Sequence, residues 1–378
     1  MASRQLDILA LEPFHGGVRR AMLEAISRCS RHRWTILKLP ARRIERRLMV
    51  AATWFAEHVA RNPPGHIDLV FSSEALNLAE FFRLRPELSR KPSVVYFHDN
   101  QLPEPGDRDG YESPADFVNL NSAMAAGETW FNSLYNLRTF LGRASGMVAR
   151  HPELRNPNPM PRLTAKAHLV PPPIDLAAMQ TGPSQAPADG PRPTRSVVFD
   201  TRGGDQDLIA AALATLARRR EPMELTLIGR SHGLPPSLQP IVLNERDDAS
   251  HVRALRNAGL FVTTRAHAAA DDLALRALAA GCLVVVPDAG VYPELLPDGV
   301  HDRCLHDGTV DTLVERILDA WYLEAPRGWE FHLDEALAQF QAIPACKVID
   351  ERLEAMAGVR PTVRVLSGGP RTPAGASR

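Results

Sequence analysis

The chain has 378 residues, 44% of them hydrophobic, and its 44 Lys and Arg balance 44 Asp and Glu. That length predicts two domains, each able to bury a core, and zero net charge excludes nucleic-acid binding by bulk attraction while leaving local patches open. Four scattered cysteines (Cys29, Cys282, Cys304, Cys346) form no C-x-x-C pair and no metal spacing, which fits reduced thiols. No signal-type segment opens the chain and no run approaches the roughly 18 apolar residues of a membrane span, so a cytoplasmic protein without a membrane partner is expected.

Residues 6–11 (LDILAL) read as a strand that ends at Glu12-Pro13-Phe14-His15-Gly16-Gly17, ahead of a helix over 18–27. A strand feeding a Gly-Gly turn and then a helix lets backbone N–H groups approach a ligand, although such turns also serve packing alone. Residues 35–39 predict a second strand. The next helix, 42–59, has Ile44, Leu48, Ala51, Ala52, Phe55 and Val59 at helical spacing. Between 28 and 47 stand Arg28, Arg31, Arg33, Lys38, Arg42, Arg43, Arg46 and Arg47 against the single acid Glu45. This cluster suits either phosphate contacts or a solvated helix face.

A third strand at 67–72, a helix at 75–83 and a fourth strand at 93–97 follow. The fourth runs into His98-Asp99-Asn100-Gln101, and the carboxyl end of a buried strand is where doubly wound sheets keep their chemistry. Beyond a loop with several prolines (102–114) come a helix over 115–126, a strand at 129–131, and Asn132-Ser133 capping a helix over 134–141. A Pro-rich segment, 152–173, leads to the low-apolar stretch 177–195, read as a linker. A second α/β unit then starts. Its strands are predicted at 196–199, 224–228 and 241–243, with helices over 208–219 and 251–257. It continues into 259–297, where 260–264 and 282–287 are strands around a helix closed by Gly281. The loop between them places Asp271 and Asp272 at a helix N-terminus otherwise suited to phosphate. The predicted architecture is α/β, two Rossmann-like domains facing a cleft: 1–176, linker 177–195, 196–357, and a disordered tail 358–378.

The ordered motifs resemble the tRNA-queuosine alpha-mannosyltransferase family, a GT-B branch related to glycosyltransferase family 4. The family's E-x-F-x-G-G turn is matched by Glu12 to Gly17, its Y-F-H-E-N-Q by Tyr96 to Gln101, and its N-x-x-S before F-N-S-x-x-N by Asn119, Ser122, Phe131-Asn132-Ser133 and Asn136. Its G-C-x-x-x-x-P and V-Y-P-E are matched by Gly281-Cys282, Pro287 and Val291 to Glu294. The resemblance implies transfer of mannose from GDP-mannose to queuosine in a tRNA anticodon, with retention, and without metal or other cofactor. It places His98, Asp99 and Asn100 beside the reacting sugar carbon and the acceptor hydroxyl. Gly16, Gly17, Arg202, His267 and Glu294 would hold the donor; Arg42, Arg43, Arg46, Arg47, Asn119, Asn132 and Ser133 would face acceptor tRNA.

The donor half departs from the family. The H-R-W-E-x-x-K-like loop is replaced by Thr201-Arg202-Gly203-Gly204-Asp205-Gln206-Asp207, which keeps Arg202 but puts Gln206 or Asp207 where the lysine belongs. In H-E-F-F-G-x-x-x-x-E, His267 remains while the two glutamates are Ala268 and Arg276. Alanine cannot accept from a sugar hydroxyl, and arginine offers only donors. Three readings follow. One is a transferase with rebuilt donor contacts, its positive charge supplied by Arg202, Arg230, Arg265, His267 and Arg276. Another is a non-catalytic tRNA- or protein-binding relative. The third is a glycosyltransferase with another sugar-nucleotide donor.

Overall fold

The computed structural model describes residues 4–102, 116–180, 195–322 and 336–358. The predicted tail apart from Gly358, most of the predicted linker and nearly all of the proline-containing loop 102–114 lie outside the described residues. Twelve strands among those residues form two six-stranded sheets in which the pairings are parallel. The first holds β1 (Asp7–His15), β2 (Arg33–Pro40), β3 (Leu69–Ser73), β4 (Ser93–Phe97), β5 (Glu128–Phe131) and β6 (Ala167–Leu169). Its order is β2-β1-β3-β4-β5-β6. The second holds β7 (Ser196–Asp200), β8 (Glu224–Ile228), β9 (Ile241–Leu243), β10 (Leu260–Thr263), β11 (Leu283–Pro287) and β12 (Leu305–His306), in the order β12-β11-β10-β7-β8-β9. β3, β4 and β10 are buried at every position, as continuous apolar runs covered by helices on both faces must be. Each order reverses once, between β1 and β3 and between β7 and β10. Crevices open at those points, beyond the carboxyl ends of the strands.

Several elements run differently from their sequence signals. The helix Leu134–Arg150 passes through Gly142 and Gly146, beyond the expected stop at 141, because Phe140, Ala144, Met147 and Val148 continue its buried stripe. The Pro-rich segment contains β6, which pairs with β5. The predicted linker begins with a short helix, Ala177–Gln180, whose Met179 joins the second domain's core. The expected second domain ran to 357. The helix Ala342–Met356 instead crosses back and packs Cys346, Ile349 and Leu353 against Leu6, Ile8, Met22 and Ile26 of the first. Asp350 accepts from Ser30 Oγ (2.6 Å) and the Arg31 N–H (2.9 Å), and Arg352 donates to Glu128 at 2.7 Å. The two chain crossings lie side by side, with the Ile174 N–H donating to the Phe340 carbonyl at 2.8 Å. No described helix is long and apolar enough to cross a membrane.

Candidate active site

The two crevices face one another across a cavity of about 730 Å³. From the first domain it is lined by the turn Phe14-His15-Gly16-Gly17, the start of the helix Gly17–Cys29, Arg42, His98 and Asp99. From the second come Arg202, Gly203, Arg265, His267, Ala268, Asp272 and Arg276. Gly16 is required for space: a Cβ there would stand 2.6 Å from the Ala41 Cβ. Gly17 is required for conformation, at φ +51°. No side chain caps the helix that starts at Gly17, so its first N–H groups stay open to the cavity.

Beneath the turn lies a buried charge network. Glu74, 1% exposed at the end of β3, accepts from the guanidinium of Arg19, from His98 Nδ1 at 3.3 Å and from the Asp99 N–H at 3.2 Å. Burial pushes the Glu74 carboxyl up, but Arg19 and His98 more than reverse this and hold it at about 2. Burial pushes the His98 imidazole down and the Asp99 carboxyl up. With Glu74 accepting from Nδ1–H, His98 is held as the tautomer whose Nε2 is an acceptor; that buried atom has no protein partner among the described residues. His98 lines the cavity, and Glu74 fixes the orientation of its ring there.

Glu12, in β1, accepts from the Phe14 N–H (2.7 Å) and Ser73 Oγ (3.1 Å), tying the turn to β3. Burial, helped by the charge of Glu74 and opposed by Arg19, raises it from 4.5 to about 7. The native state therefore keeps a proton that the unfolded chain has lost. Stability from this group is full below pH 4.5 and declines as pH rises through about 7. Glu12→Gln keeps an acceptor for Phe14 and Ser73, and it is expected to stabilise the chain by about 3 kcal/mol at pH 8 and hardly at all at pH 4. Thermal unfolding at the two pH values measures this; an equal change at both would refute it.

The second domain's cations are already engaged. Arg202 makes a two-point contact with buried Asp200 (2.7 and 2.9 Å), and this pairing outweighs burial and raises its pKa. Arg265 lies 3.8 Å from Asp271 and 4.0 Å from Asp200. Arg276 reaches Asp248 at 2.6 Å and Asp272 at 3.7 Å. Three arginines thus meet four aspartates. The helix Asp272–Ala279 is capped by Asp271, whose Oδ1 accepts from the Leu273 and Ala274 N–H groups (3.0 and 3.1 Å) and whose Oδ2 accepts from the Tyr292 hydroxyl (2.7 Å). The chain's own carboxylate occupies the helix N-terminus where a phosphate would bind. Gln206, one of the two residues where the lysine belongs, donates to the Thr201 carbonyl at 2.6 Å.

The remaining expected residues divide. Asn100 is 6% exposed and turns inward to Asn136 (3.0 Å) and Thr139 (3.3 Å), so it orders the strand end instead of facing the cavity. Asn119 also departs from the expected tRNA contact: fully buried, it donates to the Glu74 carbonyl (2.9 Å) and accepts from the Gln101 N–H (2.7 Å). Asn132 donates to the His98 carbonyl at 2.7 Å, and Ser133 Oγ crosses between the domains to the Ala269 carbonyl at 2.8 Å. Both line a smaller cavity of about 180 Å³ beside the main one, together with Glu294. The Glu294 carboxylate accepts from the Leu134 and Tyr135 N–H groups (3.0 and 3.3 Å), capping the first domain's helix from the second. Arg43, Arg46 and Arg47 stand outside the cavity lining. Glu74, Arg19 and Asp200 carry much of the site's electrostatics together with Glu12 and Asp271, yet the sequence context of the first three assigns them no role. Their positions at the ends of β3 and β7 and in the first turn of the helix Gly17–Cys29 are the signal that could have found them.

Residues 7–174 match the profile of a family described as "tRNA-queuosine alpha-mannosyltransferase N-terminal". A Drosophila melanogaster protein, tRNA-queuosine alpha-mannosyltransferase, is 24% identical over 318 residues, which cover 79% of this chain and 83% of that protein. Among solved structures, Anabaena Alr3699/HepE in complex with UDP and glucose superposes with a TM-score of 0.63 at 16% identity, covering 93% of this chain and 100% of that one. The catalytic domain of starch synthase IV from Arabidopsis thaliana, bound to ADP and acarbose, gives 0.64 at 11% identity, covering 94% and 100%. These likenesses show the GT-B fold. The first domain, residues 7–174, is thus similar to the N-terminal domain of the tRNA-queuosine alpha-mannosyltransferase family.

Proposed function

We propose that the chain is a glycosyltransferase that moves mannose from GDP-mannose to queuosine in a tRNA anticodon with retention of configuration. The observation that carries this reading is His98 at the cavity wall, its Nδ1 held by Glu74 and its buried Nε2 without a protein partner among the described residues. In the reaction the bond from the sugar C1 to the phosphate oxygen breaks and a bond from C1 to the acceptor oxygen forms. The acceptor's proton passes to the departing phosphate, and GDP leaves. The transition state is oxocarbenium-like, with negative charge growing on the diphosphate. His98 Nε2 accepts from a substrate hydroxyl and orients it, while the open N–H groups at Gly17 and Val18 face the developing anion. Arg202 and Arg265, which line the donor side, meet the diphosphate once they turn from Asp200 and Asp271.

A second reading, a non-catalytic tRNA-binding relative, is favoured by the four aspartates that neutralise the donor-side arginines. Thermal unfolding with GDP-mannose, GDP, UDP-glucose and ADP-glucose at millimolar concentration separates the two. The first reading expects GDP-mannose and GDP to raise the melting temperature. Stabilisation by tRNA with none from any nucleotide would replace it with the second.

A further inference from the structure

The basic cluster of residues 28–47 divides in the structure. Arg28 pairs with Asp175 (2.9 Å), Arg31 with Glu354 (2.8 Å) and Arg33 with Asp7 (2.6 Å). Arg42, Arg43 and Arg46 are exposed and make no ion pair with a carboxylate among the described residues, and Arg47 donates to the Pro40 carbonyl (3.2 Å). They stand on the loop before the helix Ile44–Arg61 and on its first turn. The outer face of the same helix is apolar: Met49 is 72% exposed, Val50 54% and Trp54 43%. Arg46, Val50, Trp54, His58 and Arg61 follow at four- and three-residue intervals along one stripe. The Trp54 and His58 rings are stacked, 5.1 Å apart and 14° from parallel. Arg42 joins this face to the main cavity, whose lining it shares.

An exposed aromatic stack bordered on one side by Arg42, Arg43 and Arg46, which have no carboxylate partner among the described residues, and on the other by Arg61, which pairs with Glu57 (3.2 Å), matches the chemistry of an RNA loop, in which unpaired bases stack on rings and phosphates meet guanidinium groups. We propose that the outer face of the helix Ile44–Arg61 docks an RNA stem-loop, with an unpaired base extending the Trp54–His58 stack and phosphates on Arg42, Arg43 and Arg46. Continuity through Arg42 directs the loop into the cavity. The proposal rests on the tRNA acceptor of the preceding section and names where that RNA lies.

The test is fluorescence anisotropy of the full chain with a fluorescein-labelled anticodon stem-loop RNA, across a salt series. Trp54→Ala is expected to weaken binding about tenfold. Trp54→Phe should regain most of the loss, because a ring can still stack. Arg42→Ala, Arg43→Ala and Arg46→Ala should each lower the slope of log affinity against log salt by about one. Lys347→Ala, 71% side-chain exposed on the helix Ala342–Met356, should change nothing. If the wild type binds the RNA and Trp54→Ala binds equally well, this face is the wrong one and the tRNA reading stands. If the wild type fails to bind the RNA even at low salt, both fall. Self-association that Trp54→Ala abolishes in sedimentation would assign the face to a second copy of the chain and overturn the proposal.

Discussion

Glu74→Ala is expected to destabilise the protein by about 3–5 kcal/mol and to abolish transfer. The carboxylate is enclosed, and its removal leaves the buried Arg19 guanidinium without its partner and His98 free to change tautomer. The pH dependence has a definite sign. Its folded pKa, about 2, lies below the ordinary 4.5. The stability it contributes is therefore complete above pH 4.5 and is lost as pH falls towards 2. The double variant Arg19→Met/Glu74→Leu should regain much of the stability, since an apolar pair of similar volume often replaces a buried ion pair without loss. It should regain none of the activity, because nothing then holds the His98 proton on Nδ1. Chemical denaturation and single-turnover transfer measure the two effects separately. A Glu74→Ala protein within about 1 kcal/mol of wild type would show that the network contributes little net stability.

The second large effect concerns Asp271. Asp271→Ser keeps a side-chain oxygen to cap Leu273 and Ala274 while removing the negative charge from the helix N-terminus and freeing Arg265. GDP is expected to bind about tenfold more tightly, the equivalent of about 1.4 kcal/mol. Asp271→Ala should instead cost about 2–4 kcal/mol of stability, through the lost cap and a buried Tyr292 hydroxyl left without its acceptor. Titration calorimetry with GDP and thermal unfolding of both variants check these values. Unchanged or weaker GDP binding by Asp271→Ser would mean that the acid does not compete with phosphate.

The strand runs and the positions of the turns were legible because parallel strands buried on both faces leave continuous apolar stretches. Residues 93–97 and 260–263 are examples. β6 and the helix Ala342–Met356 were not. The first is three residues long inside a Pro-rich segment, and the second takes its place from contacts more than 300 residues away, such as Asp350 with Ser30 and Arg31. His98 stood out as a polar residue at a strand end. Its partner Glu74 did not, since 24 residues separate them and only the adjacency of β3 and β4 brings them together. The acids at Asp271 and Asp272 were visible as an obstacle to phosphate. That the obstacle is a complete cap, bonded to two N–H groups and a tyrosine, is a property of the folded chain. The missing glutamate's replacement, Arg276, likewise acquires its meaning from Asp248 on a neighbouring helix.

The most direct measurement is incubation of the full chain with GDP-[14C]mannose and queuosine-containing tRNA. Label is expected in the tRNA, lost in Glu74→Ala and retained with tRNA that carries queuosine but not with tRNA that lacks it. No label in the tRNA, together with no binding of GDP-mannose, would contradict a mannosyl transfer to queuosine by this chain.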